Sequence, residues 1–166
     1  MELASFQQVM TALNGHRVRY LLVGGMAVVA HGYGRLTVDI DLVVQLNRDN
    51  ILRTMTALSE LGYRPRVPVT AEQFADQPTR ERWIREKGMV VFNLYSDRHR
   101  ATPIDVFVTE PFDFDKTYAK AVKAEIDGVG IRFVDLQTLI AMKKVAGRPR
   151  DIDDIEKLRE IAKDEG

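Results

Sequence analysis

The chain has 166 residues, 45% of them hydrophobic and 29% charged, which suits one globular domain with a real core. Its 24 basic residues balance its 24 acidic ones, so no chain-wide charge draws in a polyanion, although a local basic face is still possible. The absence of cysteine excludes disulfides, thiolate zinc sites, iron–sulfur clusters and a cysteine nucleophile.

In chain order, Leu3, Phe6, Met10 and Leu13 recur at helical spacing until Asn14-Gly15. Val18 to Val23 reads as a buried strand that breaks at Gly24-Gly25, and Met26 to His31 as a short apolar helix. Val38 to Val44 is a second strand, with Val38, Ile40, Leu42 and Val44 on one face. Residues 49–61 form an amphipathic helix ended by Gly62. The stretch from Tyr63 to Lys87, with Pro65, Pro68 and Pro78 and five arginines, reads as loops with one or two short helices. Met89 to Tyr95 and Ile104 to Val108 read as strands of a hairpin. Phe114 to Glu125 is expected to be helical, Val129 to Val134 a strand, and Asp135 to Ala146 and Arg150 to Lys163 two closing helices.

These elements predict a single mixed α/β domain over residues 1–166, a small sheet flanked by helices. Its core is expected at about 16–134, with helices at about 135–163 packed on it. The N-terminus lacks the basic flank and apolar run of a signal peptide, and no apolar run approaches the ~18–20 residues of a membrane span. A cytoplasmic protein without membrane contact is expected.

Chemistry concentrates in a few acids. In an extended strand Asp39 and Asp41 share a face, with Cα atoms about 7 Å apart. Carboxylates that close repel unless a cation or proton lies between them, and a hard divalent ion fits that need. Asp105, between Ile104 and Val106, is a third acid inside an apolar strand, where ionisation is costly without a partner. If the strands are neighbours, the three acids could hold two metals for in-line phosphoryl chemistry. A D-x-D can also be no more than a polar strand end. The Gly24-Gly25 turn ahead of it favours the phosphate reading, because glycines let backbone N–H groups approach a phosphate at a helix start.

Val23-Gly24-Gly25, then Asp39-Ile40-Asp41-Leu42, then Ile104-Asp105-Val106-Phe107 together resemble the motif of the DNA polymerase β-type nucleotidyltransferase superfamily. Arg35 to Leu42 resembles the small bacterial abortive-infection toxin-type and antibiotic-modifying members. The tail from Leu139 to Lys143 and Gly147 to Ile155 is similar to the former group, so the likeness runs over about 18–160, without 63–88. The resemblance implies a nucleotidyltransferase-type sheet, catalytic and metal-binding roles for Asp39, Asp41 and Asp105, and Mg²⁺ or Mn²⁺ as cofactor. It implies an NTP donor held by Gly24, Gly25 and Lys143. Many members have serine where this chain has Gly25, so phosphate binding there falls to the backbone, with Arg35 or Thr37 contributing.

Lys143 shares an i, i+3, i+4, i+7 stripe with Leu136, Leu139 and Ile140, so it faces the core and Lys144 does not. It could equally snorkel to the surface. Asp151 and Asp154 are expected to cap the last helix or to pair with Lys143 or Arg148. The acceptor stays open among a tRNA end (as for a toxin with a cognate antitoxin), a protein hydroxyl and a small antibiotic. A non-catalytic nucleotide- or partner-binding relative is the alternative, and a D-x-D glycosyltransferase ranks last, since it needs neither the glycine turn nor Asp105.

Overall fold

A computed structural model describes all residues, 1–166. Its elements are α1 (Leu3–Gly15), β1 (Tyr20–Val23), α2 (Gly24–Ala30), β2 (Ile40–Val44), α3 (Arg48–Glu60), β3 (Arg64–Pro65), α4 (Ala71–Ala75), α5 (Gln77–Lys87), β4 (Val91–Tyr95), β5 (Ile104–Phe107), α6 (Phe114–Ala119), β6 (Val122–Ile126), β7 (Val129–Phe133), α7 (Leu136–Ala146) and α8 (Pro149–Glu165). The strands form one mixed sheet in the order β3-β4-β5-β2-β1-β7-β6. The expected small mixed sheet flanked by helices is therefore observed, and no helix is long and apolar enough to cross a membrane.

Helices pack against the sheet, and its centre is the driest part of the molecule. Leu21, Leu22, Ile40, Leu42, Leu94 and Ile104 have no exposed surface, and they join one contiguous core. Phe74 of α4 and Trp83 of α5 stack on Phe92 of β4, with ring centroids 4.6 and 5.8 Å away. The segment 63–88 thus holds two helices, within the one or two expected, the second of them three turns long. Thr70 and Asp76 cap the two helices, Pro78 falls in the first turn of α5, where its missing N–H costs nothing, and Gly88 ends it in the left-handed conformation. Because Phe92 and Asn93 point to opposite faces, this packing leaves the Asn93 face free for chemistry.

Two expectations need correcting. The helix expected from Phe114 to Glu125 stops at Ala119, and Val122–Ile126 pairs antiparallel with Val129–Phe133 instead. Asp127 and Gly128 both have positive φ, 49° and 80°, as a two-residue hairpin turn requires. Val38 and Asp39 also lie outside the strand assigned to them, which starts at Ile40, and Val38 is 61% exposed. Residues 31–39 are a connecting loop, tied down by bonds from Arg35 and Arg150 to the Leu36 carbonyl.

Candidate active site

Sheet register builds the site. Val23 on β1 pairs with Asp41 on β2, Asp41 pairs with Asp105 on the parallel β5, and Asp105 pairs with Asn93 on the antiparallel β4. One row across four strands therefore carries the end of the glycine turn, two acids and an amide. Neighbouring strands are about 4.8 Å apart, so Asp41 and Asp105 are side by side. Asp39 precedes the strand, yet its charge couples to both. The structure thus brings together the three acids that the sequence singled out.

Their electrostatics are unfavourable in isolation. Burial, then the charges of Asp105 and Asp39, push Asp41 up to about 7, against partial relief from Lys143 and Arg148. Burial and Asp105 likewise raise Asp39, while the N-terminal ammonium and Arg66 draw it down. Asn93 donates its amide N–H to one Asp105 oxygen, and its own Oδ1 is buried with no donor. The Asn93 oxygen is thus an unpartnered buried acceptor on the residue that holds Asp105. The acids do not close on their own into a group of three ligands around one point.

The glycine pair is required for two separate reasons. Gly24 has φ +63°, and a Cβ there would stand 2.1 Å from Asp41 Oδ2, so only glycine lets this carboxylate lie against the turn. At Gly25 a Cβ would stand 2.4 Å from Thr37 Oγ1 and 3.3 Å from Arg35 Nη2. The space a serine side chain would fill is already taken by the Thr37 hydroxyl and the Arg35 guanidinium. Glycine at position 25 is thus complementary to the 31–39 loop.

The remaining cations are held in a second cluster. Asp154, with no exposed side-chain surface, lies 2.8 Å from Arg35 Nε and 2.9 Å from Lys143 Nζ. Lys143 also reaches Asp151 at 3.2 Å, and Arg148 Nε meets the other Asp151 oxygen at 2.7 Å. Burial alone would raise Asp151, but bonds from Arg148 and Lys143 prevail and hold it at about 2. Arg35 and Lys143, named from sequence as phosphate ligands, therefore have acidic partners already. Lys143 is buried on the core-facing stripe and Lys144 is exposed, as the periodicity implied. Sequence reasoning missed Asn93, which reaches the acids only through strand pairing, while Arg148 pairs with Asp151 as one of the partners expected for it.

The fold is shared with solved nucleotidyltransferases. The lincomycin-bound lincosamide antibiotic adenylyltransferase LnuA superposes with a TM-score of 0.64 at 14% identity, covering 97% of this chain and 98% of that one. A candidate nucleotidyltransferase from Thermotoga maritima gives 0.59 at 15% identity, with 98% and 92% covered. The antibiotic-resistance factor ANT(2'')-Ia gives 0.58 at 16%, with 97% and 82% covered. No curated protein matches the sequence. Residues 1–163 match the family described as "Nucleotidyltransferase of unknown function (DUF6036)", and the chain, an enzyme of nucleotidyltransferase type, belongs to that family.

Proposed function

We propose that this enzyme moves a nucleoside monophosphate from an NTP to an acceptor hydroxyl, and that it depends on a divalent cation. The observation that carries the reading is the register row itself: a glycine turn, Asp41 and Asp105 on adjacent strands, with Asp41 raised to about 7 by uncompensated negative charge. The donor set is all oxygen, includes the orphaned Asn93 Oδ1 nearby, and fits Mg²⁺ or Mn²⁺. Asp39, Asp41 and Asp105 would hold the ion, and phosphate and water oxygens would complete its shell. When bound, it neutralises charge on the phosphates and favours departure of pyrophosphate.

The protein's own groups then have distinct tasks. The Gly24 and Gly25 backbone receives the triphosphate, with Thr37 Oγ1 beside it where a serine hydroxyl would otherwise stand. Asn93 fixes the Asp105 carboxylate, which takes the proton of the acceptor hydroxyl. That oxygen attacks the α-phosphorus, one P–O bond forms, the bond to the β-phosphate breaks, and pyrophosphate leaves. Positioning and charge neutralisation supply most of the rate. Lys143 and Arg148 act on this site through their field at Asp41, as fixed positive charges behind the triphosphate.

For the acceptor, the abortive-infection resemblance supports a nucleic acid such as a tRNA end, with a cognate antitoxin as partner. The likeness to ANT(2'')-Ia, solved with adenylyl-2''-tobramycin, supports a small-molecule acceptor as the second reading. Incubation with each α-labelled NTP, Mg²⁺ or Mn²⁺, and cell extract fractionated into RNA, protein and small molecules separates them. Asp105→Asn is expected to lose transfer by about 10³-fold or more while still folding cooperatively, at least as stably as wild type without metal. Undiminished labelling by that variant would overturn the assignment.

A further inference from the structure

The catalytic face of the sheet continues past the acids to an edge that the proposed reaction has not used. Beyond Asp105 and Asn93, the backbone N–H of Arg66 donates to the Asn93 carbonyl, placing Arg66 beside β4. Arg64 pairs with Tyr95, two residues from Asn93 and so on the same side of the strand. The guanidinium groups of Arg64 and Arg66 lie 4.9 and 5.1 Å from the Tyr95 ring centroid. Arg64 also donates to the Tyr95 hydroxyl and pairs with Asp97 at 2.9 Å. Arg66 differs: it is exposed and forms no ion pair, and the acid that senses its charge is Asp39.

The direction of the reaction gives this edge a meaning. In an in-line displacement the attacking and leaving oxygens lie on opposite sides of phosphorus. A triphosphate on the Gly24-Gly25 turn occupies the β1 side of the acids, so the attacking hydroxyl arrives from the β4 and β3 side. Whatever carries that hydroxyl must lie along Asn93, Tyr95 and Arg66. The β3 edge is two strand spacings from Asp105, about 10 Å, and an extended arginine covers much of that distance. A guanidinium stacked on an aromatic ring, with no carboxylate of its own, is a preorganised fork for phosphate.

Resting on the reading of the acids as a nucleotidyl-transfer site, we infer that Arg66, backed by Tyr95, is an acceptor-side anion site, and that the acceptor carries a phosphate close to its reactive hydroxyl. That phosphate belongs either to a polynucleotide backbone or to a small phosphorylated molecule. A polycationic acceptor would meet Arg66 and Arg64 at the entrance and be repelled.

The test compares wild type, Arg66→Glu, Arg66→Lys and Tyr95→Leu in two measurements. Calorimetric binding of a dinucleotide with a 5′-phosphate, and of a sugar phosphate, is read without NTP, so it does not depend on turnover. Transfer from α-labelled NTP is then read with an RNA 3′ end, the same sugar phosphate and its dephosphorylated form as acceptors. Arg66→Glu is expected to weaken binding of the phosphorylated probes at least tenfold and to raise the acceptor KM by as much, with the NTP KM unchanged. Arg66→Lys should recover part of both, and Tyr95→Leu should fall between. Preference for RNA over sugar phosphate identifies a polynucleotide acceptor, and the reverse preference a small one. Binding lost in Arg66→Glu, with no transfer to any acceptor by wild type, would keep the anion site and remove the transferase reading. Transfer equally efficient to the dephosphorylated acceptor, or an NTP KM that rises in Arg66→Glu while the acceptor KM stays fixed, overturns the inference.

Discussion

Two clusters of aspartates lie within one electrostatic field of each other, and they have opposite characters. Around α7 and α8, Asp151 and Asp154 are matched by Lys143, Arg148 and Arg35 at 2.7–3.2 Å, and Asp151 is held at about 2. On the sheet, Asp41, Asp105 and Asp39 face one another with no cation among them, and Asp41 rises to about 7. Residue type is alike in the two places, although Asp151 and Asp154 are fully buried and the three acids near the glycine turn only partly so. The difference is whether the chain supplies the counter-charge or leaves it to something that binds. The first arrangement holds the fold together; the second strains it, and on the proposed function that strain would favour a cation.

Breaking the matched cluster gives the largest expected effect on stability. Lys143→Met leaves Asp154 to Arg35 alone and Asp151 to Arg148 alone, and is expected to cost about 3 kcal/mol in urea denaturation. Adding Asp154→Leu should recover part of that loss, and a double variant no better than the single one would show that the pair is not coupled.

Relieving the unmatched cluster should do the reverse. Asp41→Asn is expected to stabilise the metal-free protein, on the order of 2 kcal/mol at pH 8, while removing activity. The sign follows from the raised folded value. The wild type binds an extra proton when folded, so its Asp41-linked stability is lost as pH rises from about 4 to about 7, and the gain from Asn should vanish near pH 4. Asp151 has the opposite slope, since its depressed value gives stability that is lost as pH falls from about 4 towards 2. Thermal unfolding across pH 2–8 in wild type and Asp41→Asn reads both limbs, and a gain from Asn that stays constant over that range would contradict the contrast.

The smallest expected effect concerns the turn between the clusters. Gly25→Ala should cost about 1–2 kcal/mol, because its Cβ displaces Thr37. Thr37→Gly in the same chain should restore stability but not nucleotide affinity, as measured by titration with a non-hydrolysable NTP. Restoration of both would show that the Thr37 hydroxyl contributes nothing to binding.

Much of this was legible in the sequence because the informative patterns were local. Gly24-Gly25 closed a buried strand, Asp105 stood alone in an apolar run, and helical periodicity turned Lys143 inward. The same locality misled at 120–126, where a helix was extended through residues that pair across the Asp127-Gly128 turn. Asn93, and which of the arginines after Tyr63 lies beside the acids, were hidden for a different reason. Their positions depend on the register of β4 against β5 and on a bond beyond it, and nothing in the residues themselves announces either. Val38 left its strand because the loop before β2 answers to Arg35, whose partner Asp154 is 119 residues away.

That separation has a consequence for the order in which the enzyme becomes competent during synthesis. The glycine turn, β2 and β5 emerge from the ribosome well before α8, so the acids can be aligned while the loop over the turn still lacks its anchor. Arg35 reaches its resting place only after Asp154 has been made and α8 has docked. On the proposed function, a nascent chain would carry its acids early and acquire an ordered phosphate pocket only once α8 has docked.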